Sequence, residues 1–116
     1  MRKTTSTNFE NEKGFTNNCP ITSTMKIIGG RWKVIIIYQL GSGTKRYGEM
    51  KKTIGTISEK MLTQQLKALI QDGWVTKTDY KEIPPRTEYE LTQLGKSFIP
   101  ILKEIEKWGN QYLLKC

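Results

Sequence analysis

Ser58-Glu59-Lys60-Met61-Leu62-Thr63-Gln64-Gln65-Leu66-Lys67-Ala68-Leu69-Ile70-Gln71-Asp72, followed at once by Gly73-Trp74-Val75, is the stretch on which the fold turns. Leu62, Leu66 and Leu69 recur at helical spacing, which predicts one apolar face. The opposite face carries Lys60, Gln64, Lys67 and Gln71, with Thr63 on its flank. Such side chains suit phosphates and base edges, since Gln pairs bidentately with adenine and Lys with guanine or phosphate. Strand patterns follow at Val75 to Tyr80 and at Thr87 to Leu91, where Thr87, Tyr89 and Leu91 alternate with Glu88 and Glu90. Between them lies Lys81-Glu82-Ile83-Pro84-Pro85-Arg86, a basic tip whose prolines cannot continue a ladder but can stiffen a loop. A polar-faced helix followed by a small basic β-wing predicts a winged helix-turn-helix. The fold class is then mainly α with a small β-hairpin.

Upstream, Cys19-Pro20 starts the ordered chain, because proline suits the first turn of a helix. Ile21, Met25 and Ile28 share a face, and Gly29-Gly30 ends that helix. From Arg31 to Leu40, Trp32, Val34, Ile35, Ile36, Ile37 and Leu40 make a helix apolar nearly all round, as a central core helix should be. Gly41-Ser42-Gly43 closes it. Lys45-Arg46-Tyr47 leads into a short helix to about Thr53, burying Tyr47, Met50 and Ile54. Gly55 turns the chain into the recognition helix, capped by Ser58 or by a capping box through Thr56 and Glu59. Thr92 caps a last helix reaching about Leu114, with Pro100 expected to kink or divide it. Residues 1–18, rich in Thr, Asn, Lys and Glu, read as a flexible arm, and residues 19–116 as one winged-helix domain that includes a terminal dimerisation helix.

Composition narrows the function. The 116 residues carry a net charge of +8, and the sixteen Lys or Arg against nine Asp or Glu after residue 18 keep +7 on the domain. An acidic polymer is the natural partner. There is no histidine, and the two cysteines are Cys19 and Cys116. His-based acid–base catalysis and a four-ligand zinc set within one chain are therefore excluded. Gly29-Gly30 lacks the spacing of a phosphate-binding loop, so no cofactor is expected. No apolar run reaches transmembrane length and no signal-peptide core is present, so the chain reads as cytoplasmic with reduced thiols.

Double-stranded DNA is thus the expected partner, and neither an enzyme nor a membrane protein. Lys60, Thr63 and Gln64 are the candidates to approach bases, with Ser58 and Lys67 nearer phosphates. Arg46, Lys51 and Lys52 precede the recognition helix and are candidates to hold the DNA backbone, as are Lys81 and Arg86 from the wing. Arg46 has a structural alternative, a hydrogen bond within the fold. The bland alternative for the whole face is a solvated amphipathic helix, and a winged helix that binds protein rather than DNA is the rival class. In the last helix Ile101, Ile105, Trp108 and Tyr112 fall at i, i+4, i+7 and i+11 with Leu102 alongside, more apolar area than a small core needs. They are read as a two-fold dimer contact. Cys19 stands at a helix start, where aligned N–H groups favour a thiolate, or is a small packing residue.

The pieces Cys19-Pro20-Ile21, Gly30-Arg31-Trp32, Arg46-Tyr47-Gly48-Glu49-Met50, Ile57 through Leu66, Asp72-Gly73-Trp74-Val75, Pro84-Pro85 and Tyr89 through Gly95 together resemble the HxlR-type regulators. These are winged-helix transcription factors related to the MarR group. The match spans residues 19 to 108 in order and spacing. It departs in having Arg31 where Lys is commoner, Tyr47 where Phe is commoner and Lys77 where Arg is commoner; Cys116 belongs to no family motif. The resemblance implies a homodimeric bacterial transcription regulator that dimerises through its terminal helices. In several members the cysteine at the place of Cys19 senses oxidants or electrophiles, which makes a small electrophile or oxidant a candidate effector.

Overall fold

The computed structural model describes residues 19–113, so the expected N-terminal arm and Cys116 lie outside the described residues. The chain falls into two compact units divided between Gly30 and Arg31. The first contributes helix α1, Pro20–Ile28, with Cys19 at its N-cap and Pro20 in its first turn. Ile28 is buried, whereas Ile21 and Met25 are exposed. The helix ends at Gly29, whose backbone turns extended, and Gly30, at φ 90°, follows in the left-handed region that glycine enters without strain.

The second unit begins with α2, Arg31–Leu40, whose Ile36, Ile37 and Leu40 are buried. α2 touches all three later helices and the sheet. It is central, as its composition predicts, but it is not buried all round. Val34, Ile35 and Tyr38 open with Leu102 and Ile105 onto an apolar hollow, rimmed by a 3.2 Å hydrogen bond from the Tyr38 hydroxyl to Glu106.

Lys45–Arg46 then forms a two-residue strand, β1, which the sequence pattern did not predict. Helix α3, Tyr47–Ile54, follows directly, and its Glu49 carboxylate accepts the Arg46 backbone N–H at 2.7 Å. Met50 is its buried anchor; Tyr47 and Ile54 are half-buried. Gly55, at φ 77°, makes the turn. Of the two caps open to α4, Glu59–Gln71, the structure uses Ser58, whose Oγ accepts the Met61 N–H at 3.0 Å. Leu62, Leu66 and Leu69 face inward as their spacing predicts.

Strands β2, Val75–Asp79, and β3, Thr87–Leu91, pair antiparallel with Val75 opposite Leu91 and Thr78 opposite Glu88. β1 adds to the far edge of β3, with Lys45 opposite Tyr89, so the hairpin is the larger part of a three-stranded sheet in the order β1-β3-β2. Trp74 joins the wing to both flanking helices. Its N–H donates to the Leu69 carbonyl at 2.9 Å, its carbonyl accepts the Thr92 N–H at 3.0 Å, and its ring meets Phe98 edge-on at 5.3 Å.

Thr92 caps α5, Gln93–Tyr112, accepting the Gly95 N–H at 3.2 Å. Gly95 lies so near the Trp74 carbonyl that a side-chain methyl would overlap it. The expected division at Pro100 does not occur: α5 is one helix of 20 residues with Pro100 inside it. Pro100 and Lys96 are both exposed.

One residue of the predicted dimer stripe is corrected. Leu102 is only 5% exposed and packs inside its own subunit with Gly95 and Phe98. Ile101, Ile105, Trp108 and Tyr112 are 50%, 54%, 55% and 62% exposed. Adjacent residues on a helix point about 100° apart, so Ile101 and Leu102 cannot serve one face. α5 thus carries two apolar stripes, one inward and one outward, and the Trp108 and Tyr112 rings of the outer one are 5.3 Å apart.

Candidate nucleic-acid interface

α4 turns Lys60, Thr63, Gln64 and Lys67 outward together, and all four are exposed. The leucines on its other face dictate this: with Leu62, Leu66 and Leu69 held in the core, residues 60, 63/64 and 67 must point away. Ser58 is exposed, but its hydroxyl oxygen is engaged as the helix cap, so it stands at the helix start and not on the outward row. Thr63 is also engaged. Its Oγ1 lies 3.1 Å from the Tyr47 hydroxyl, which in turn donates to the Glu59 carbonyl at 3.1 Å.

The supporting basic residues sort into three groups. Lys51 and Lys52 stand in the last turn of α3, where their charge suits the helix C-terminus as well as a nearby anion, and Lys52 is the more exposed of the two. Lys81 is exposed at the wing tip, held at φ 55° by a turn in which its N–H donates to Asp79 at 2.9 Å. Arg46 is drawn into the sheet, with its Nε 3.9 Å from a Glu88 carboxylate oxygen. At that separation the contact is an ion pair and not a hydrogen bond, and the Arg46 side chain keeps 55% exposure.

Arg86, a candidate to hold the DNA backbone, also makes contacts within the wing. Its guanidinium lies 3.7 Å from the centre of the Tyr80 ring and pairs with Glu82 at 3.4 Å. Tyr80 is itself fixed, its hydroxyl donating to Glu88 at 2.9 Å, a bond that raises the phenol's pKa because it favours the protonated form beside a carboxylate. Arg86 is therefore a strut that stiffens the wing. Closure of the hairpin brings residues 80 and 86 face to face, and a linear reading of charge does not show this.

Lys77 was missed as a candidate. It lies on β2 and lines one shallow hollow with Thr63, Lys67 and Tyr89. Its positive charge on a strand of the basic wing was the available signal. Tyr89 forms the floor, and burial raises its phenol pKa.

Cys19 is a free thiol of intermediate exposure at the N-cap of α1. The Thr22 backbone N–H is the main influence holding its pKa below the ordinary thiol value, partly opposed by burial and aided by the Ile21 N–H. Among the described residues no cluster of His, Cys, Asp or Glu could hold a metal ion, and no helix is long and apolar enough to cross a membrane.

Two short helices joined at Gly55, the second carrying an outward polar row and followed by an antiparallel wing, define a winged helix-turn-helix protein. The sequence model of the HxlR-like helix-turn-helix family matches residues 27–115, and the chain belongs to that family. It is a transcriptional regulator of the helix-turn-helix type and not an enzyme. The HTH-type transcriptional regulator YdeP of Bacillus subtilis is 42% identical over 94 residues, 81% of this chain and 73% of its own. A structure described as a MarR-family transcriptional regulator from Porphyromonas gingivalis W83 superposes with a TM-score of 0.81 at 45% identity, covering 84% of this chain and 96% of that one. The redox regulator HypR in its oxidised form superposes with a TM-score of 0.75 at 39% identity, covering 80% of this chain and 96% of its own.

Proposed function

We propose that this regulator binds duplex DNA as a homodimer on an inverted repeat, each copy placing α4 in a major groove and its wing against the backbone. The observation that carries the reading is the outward row Lys60, Thr63, Gln64 and Lys67 on a helix whose other face is locked in the core. Such a row offers donors and acceptors to base edges, while Lys52, Lys77 and Lys81 flank it with positive charge. The exposed stripe of α5 supplies the apolar area for contact between copies. Two recognition helices related by a two-fold axis meet successive major grooves about 34 Å apart. A regulator working in this way acts in the cytoplasm.

The test is a fluorescence titration of labelled duplex against salt. Affinity falls steeply as salt rises, through release of counterions from the phosphates. Absence of any salt-sensitive duplex binding would favour the rival winged helix that docks on protein.

Within that complex the row and the wing divide the work. Gln64→Ala weakens discrimination at particular base positions, by about 1–3 kcal/mol for a bidentate contact. Lys81→Ala weakens all sequences alike and lowers the slope of log affinity against log salt by about one. Competition assays on single-base operator variants at two salt concentrations separate the two effects; the reverse pattern would put the wrong element in the groove.

Cys19 is proposed as the point at which an electrophile or oxidant acts. Its lowered pKa leaves more thiolate at neutral pH than an ordinary thiol has, and the thiolate is the nucleophile. The thiolate sulfur adds to the electrophilic carbon of a quinone, and the quinone oxygen takes up a proton from solvent. The adduct then places bulk at the start of α1, beside the exposed Ile21. The pH at which alkylation reaches half its maximal rate lies below that of a model cysteine peptide, since the rate follows the thiolate fraction. Cys19→Ser binds DNA but loses its response to quinone, whereas Cys116→Ser changes neither binding nor response. Equal alkylation profiles for Cys19 and the peptide, with an intact response in Cys19→Ser, would leave Cys19 a packing residue.

A further inference from the structure

The link between Tyr47 and Thr63 fixes the direction of a hydrogen bond, and with it the kind of base that Thr63 can read. Tyr47 opens α3, and its hydroxyl reaches α4, 3.1 Å from the Glu59 carbonyl oxygen and 3.1 Å from Thr63 Oγ1. A phenol has one proton, and a carbonyl oxygen can only accept. The Tyr47 proton is therefore directed at Glu59. Toward Thr63 the Tyr47 oxygen is then left as an acceptor, which assigns to Thr63 the donor role that distance alone leaves open to either atom. The hydroxyl of Thr63 has a single proton as well, and it is now held inward.

The hydroxyl of Thr63 then has only lone pairs to offer a base. Its neighbours on the outward row differ: Lys60 and Lys67 only donate, and Gln64 both donates and accepts. In the major groove, guanine O6 and N7 and thymine O4 accept, whereas adenine N6 and cytosine N4 donate. Phosphate oxygens only accept. An inward-held proton makes Thr63 a poor partner for guanine, thymine or phosphate and a fitting one for an exocyclic amino group.

We propose that Thr63 is an acceptor-only reader of adenine or cytosine at one position of each operator half-site, and that Tyr47 is the positioning residue that imposes this. The proposal rests on the reading of α4 as the major-groove helix. Tyr47 touches no base in this scheme. It acts by withholding a proton, and its half-buried ring keeps its packing when the hydroxyl is removed.

The experiment selects duplexes from a random pool with the full-length protein, then measures affinities for the selected site and its single-base variants. The wild-type protein prefers adenine or cytosine over guanine or thymine at one position per half-site, about three- to tenfold, as expected for one hydrogen bond. Thr63→Val abolishes that preference, and Thr63→Ser, which restores a hydroxyl, restores its direction. Tyr47→Phe narrows the ratio toward one by gaining affinity for the guanine and thymine variants, because the freed Thr63 hydroxyl can rotate and donate. A structural role for Tyr47 would instead weaken all duplexes together. The proposal is overturned if the position controlled by Thr63 prefers guanine or thymine, or if Tyr47→Phe leaves the ratio unchanged. Loss of all sequence-selective binding in the wild-type protein would overturn the major-groove reading of α4 itself.

Discussion

If the proposed dimer forms through α5, Trp108→Ala is expected to leave a monomer at micromolar concentration and to abolish tight operator binding. Trp108 is 55% exposed on the subunit and stacks at a tilt on Tyr112, with Ile101 and Ile105 on the same side of α5. A large aromatic at the centre of an apolar contact is the kind of residue whose truncation costs about 2–4 kcal/mol. A two-fold contact uses each residue twice. The dimer is then weakened by about 4 kcal/mol or more, on the order of a thousandfold in its dissociation constant. Binding of an inverted repeat suffers at least as much, since a single recognition helix must hold its half-site alone. Sedimentation velocity and titration of an operator duplex check both effects. A Trp108→Ala protein that stays dimeric and binds at full affinity would remove the outer stripe of α5 from the interface. Leu102→Ala makes a useful contrast, because Leu102 lies inside the subunit and its loss destabilises the fold in place of the contact.

Leu62→Ala is expected to lower subunit stability by about 2–5 kcal/mol, the range for deleting a fully buried leucine side chain and leaving a cavity. Leu62 has no accessible surface and sits in the first half of α4, on the side opposite Lys60 and Gln64. Domains of this size have roughly 5–15 kcal/mol in all, so the change removes a large part of the total. Because α4 meets α2 directly, the cavity opens where the recognition helix is held to the central helix. Urea denaturation should show a lower midpoint at similar slope, and operator affinity should fall more steeply with temperature than in the parent protein. Gln64→Ala, two residues along on the exposed side, should leave the midpoint in place. A Leu62→Ala midpoint within the scatter of the parent would mean that α4 is not anchored by its leucine face.

These outcomes bear on how far the linear chain can be read. Helix α4 was legible because its period is local: three leucines at fixed spacing set which side is buried, and the outward row follows from geometry. The same holds for the Ser58 cap and for the glycine turns at Gly30 and Gly55, where a backbone need is met by a residue type within a few positions. Family motifs spread along the chain added the identity of the fold, since several short pieces in a fixed order are far more specific than any one.

Strand β1 was invisible for the opposite reason. Lys45 and Arg46 show no alternation of their own, and they become a strand because β3, more than forty residues on, offers them an edge. Arg86 looked like a free positive charge until the hairpin placed it on Tyr80 and beside Glu82. The contact between Tyr47 and Thr63 likewise needs two helices brought together before two hydroxyls can meet. Ile101 and Leu102 are the clearest case. Both are apolar neighbours on one helix, and composition cannot say which is inside, because the choice depends on how α5 is rotated against Trp74 and α2. Local periodicity and capping thus settle the elements and the helix-turn-helix itself. Contacts between residues far apart in the chain settle which charges are paired, which hydroxyls meet and which apolar stripe of α5 stays exposed.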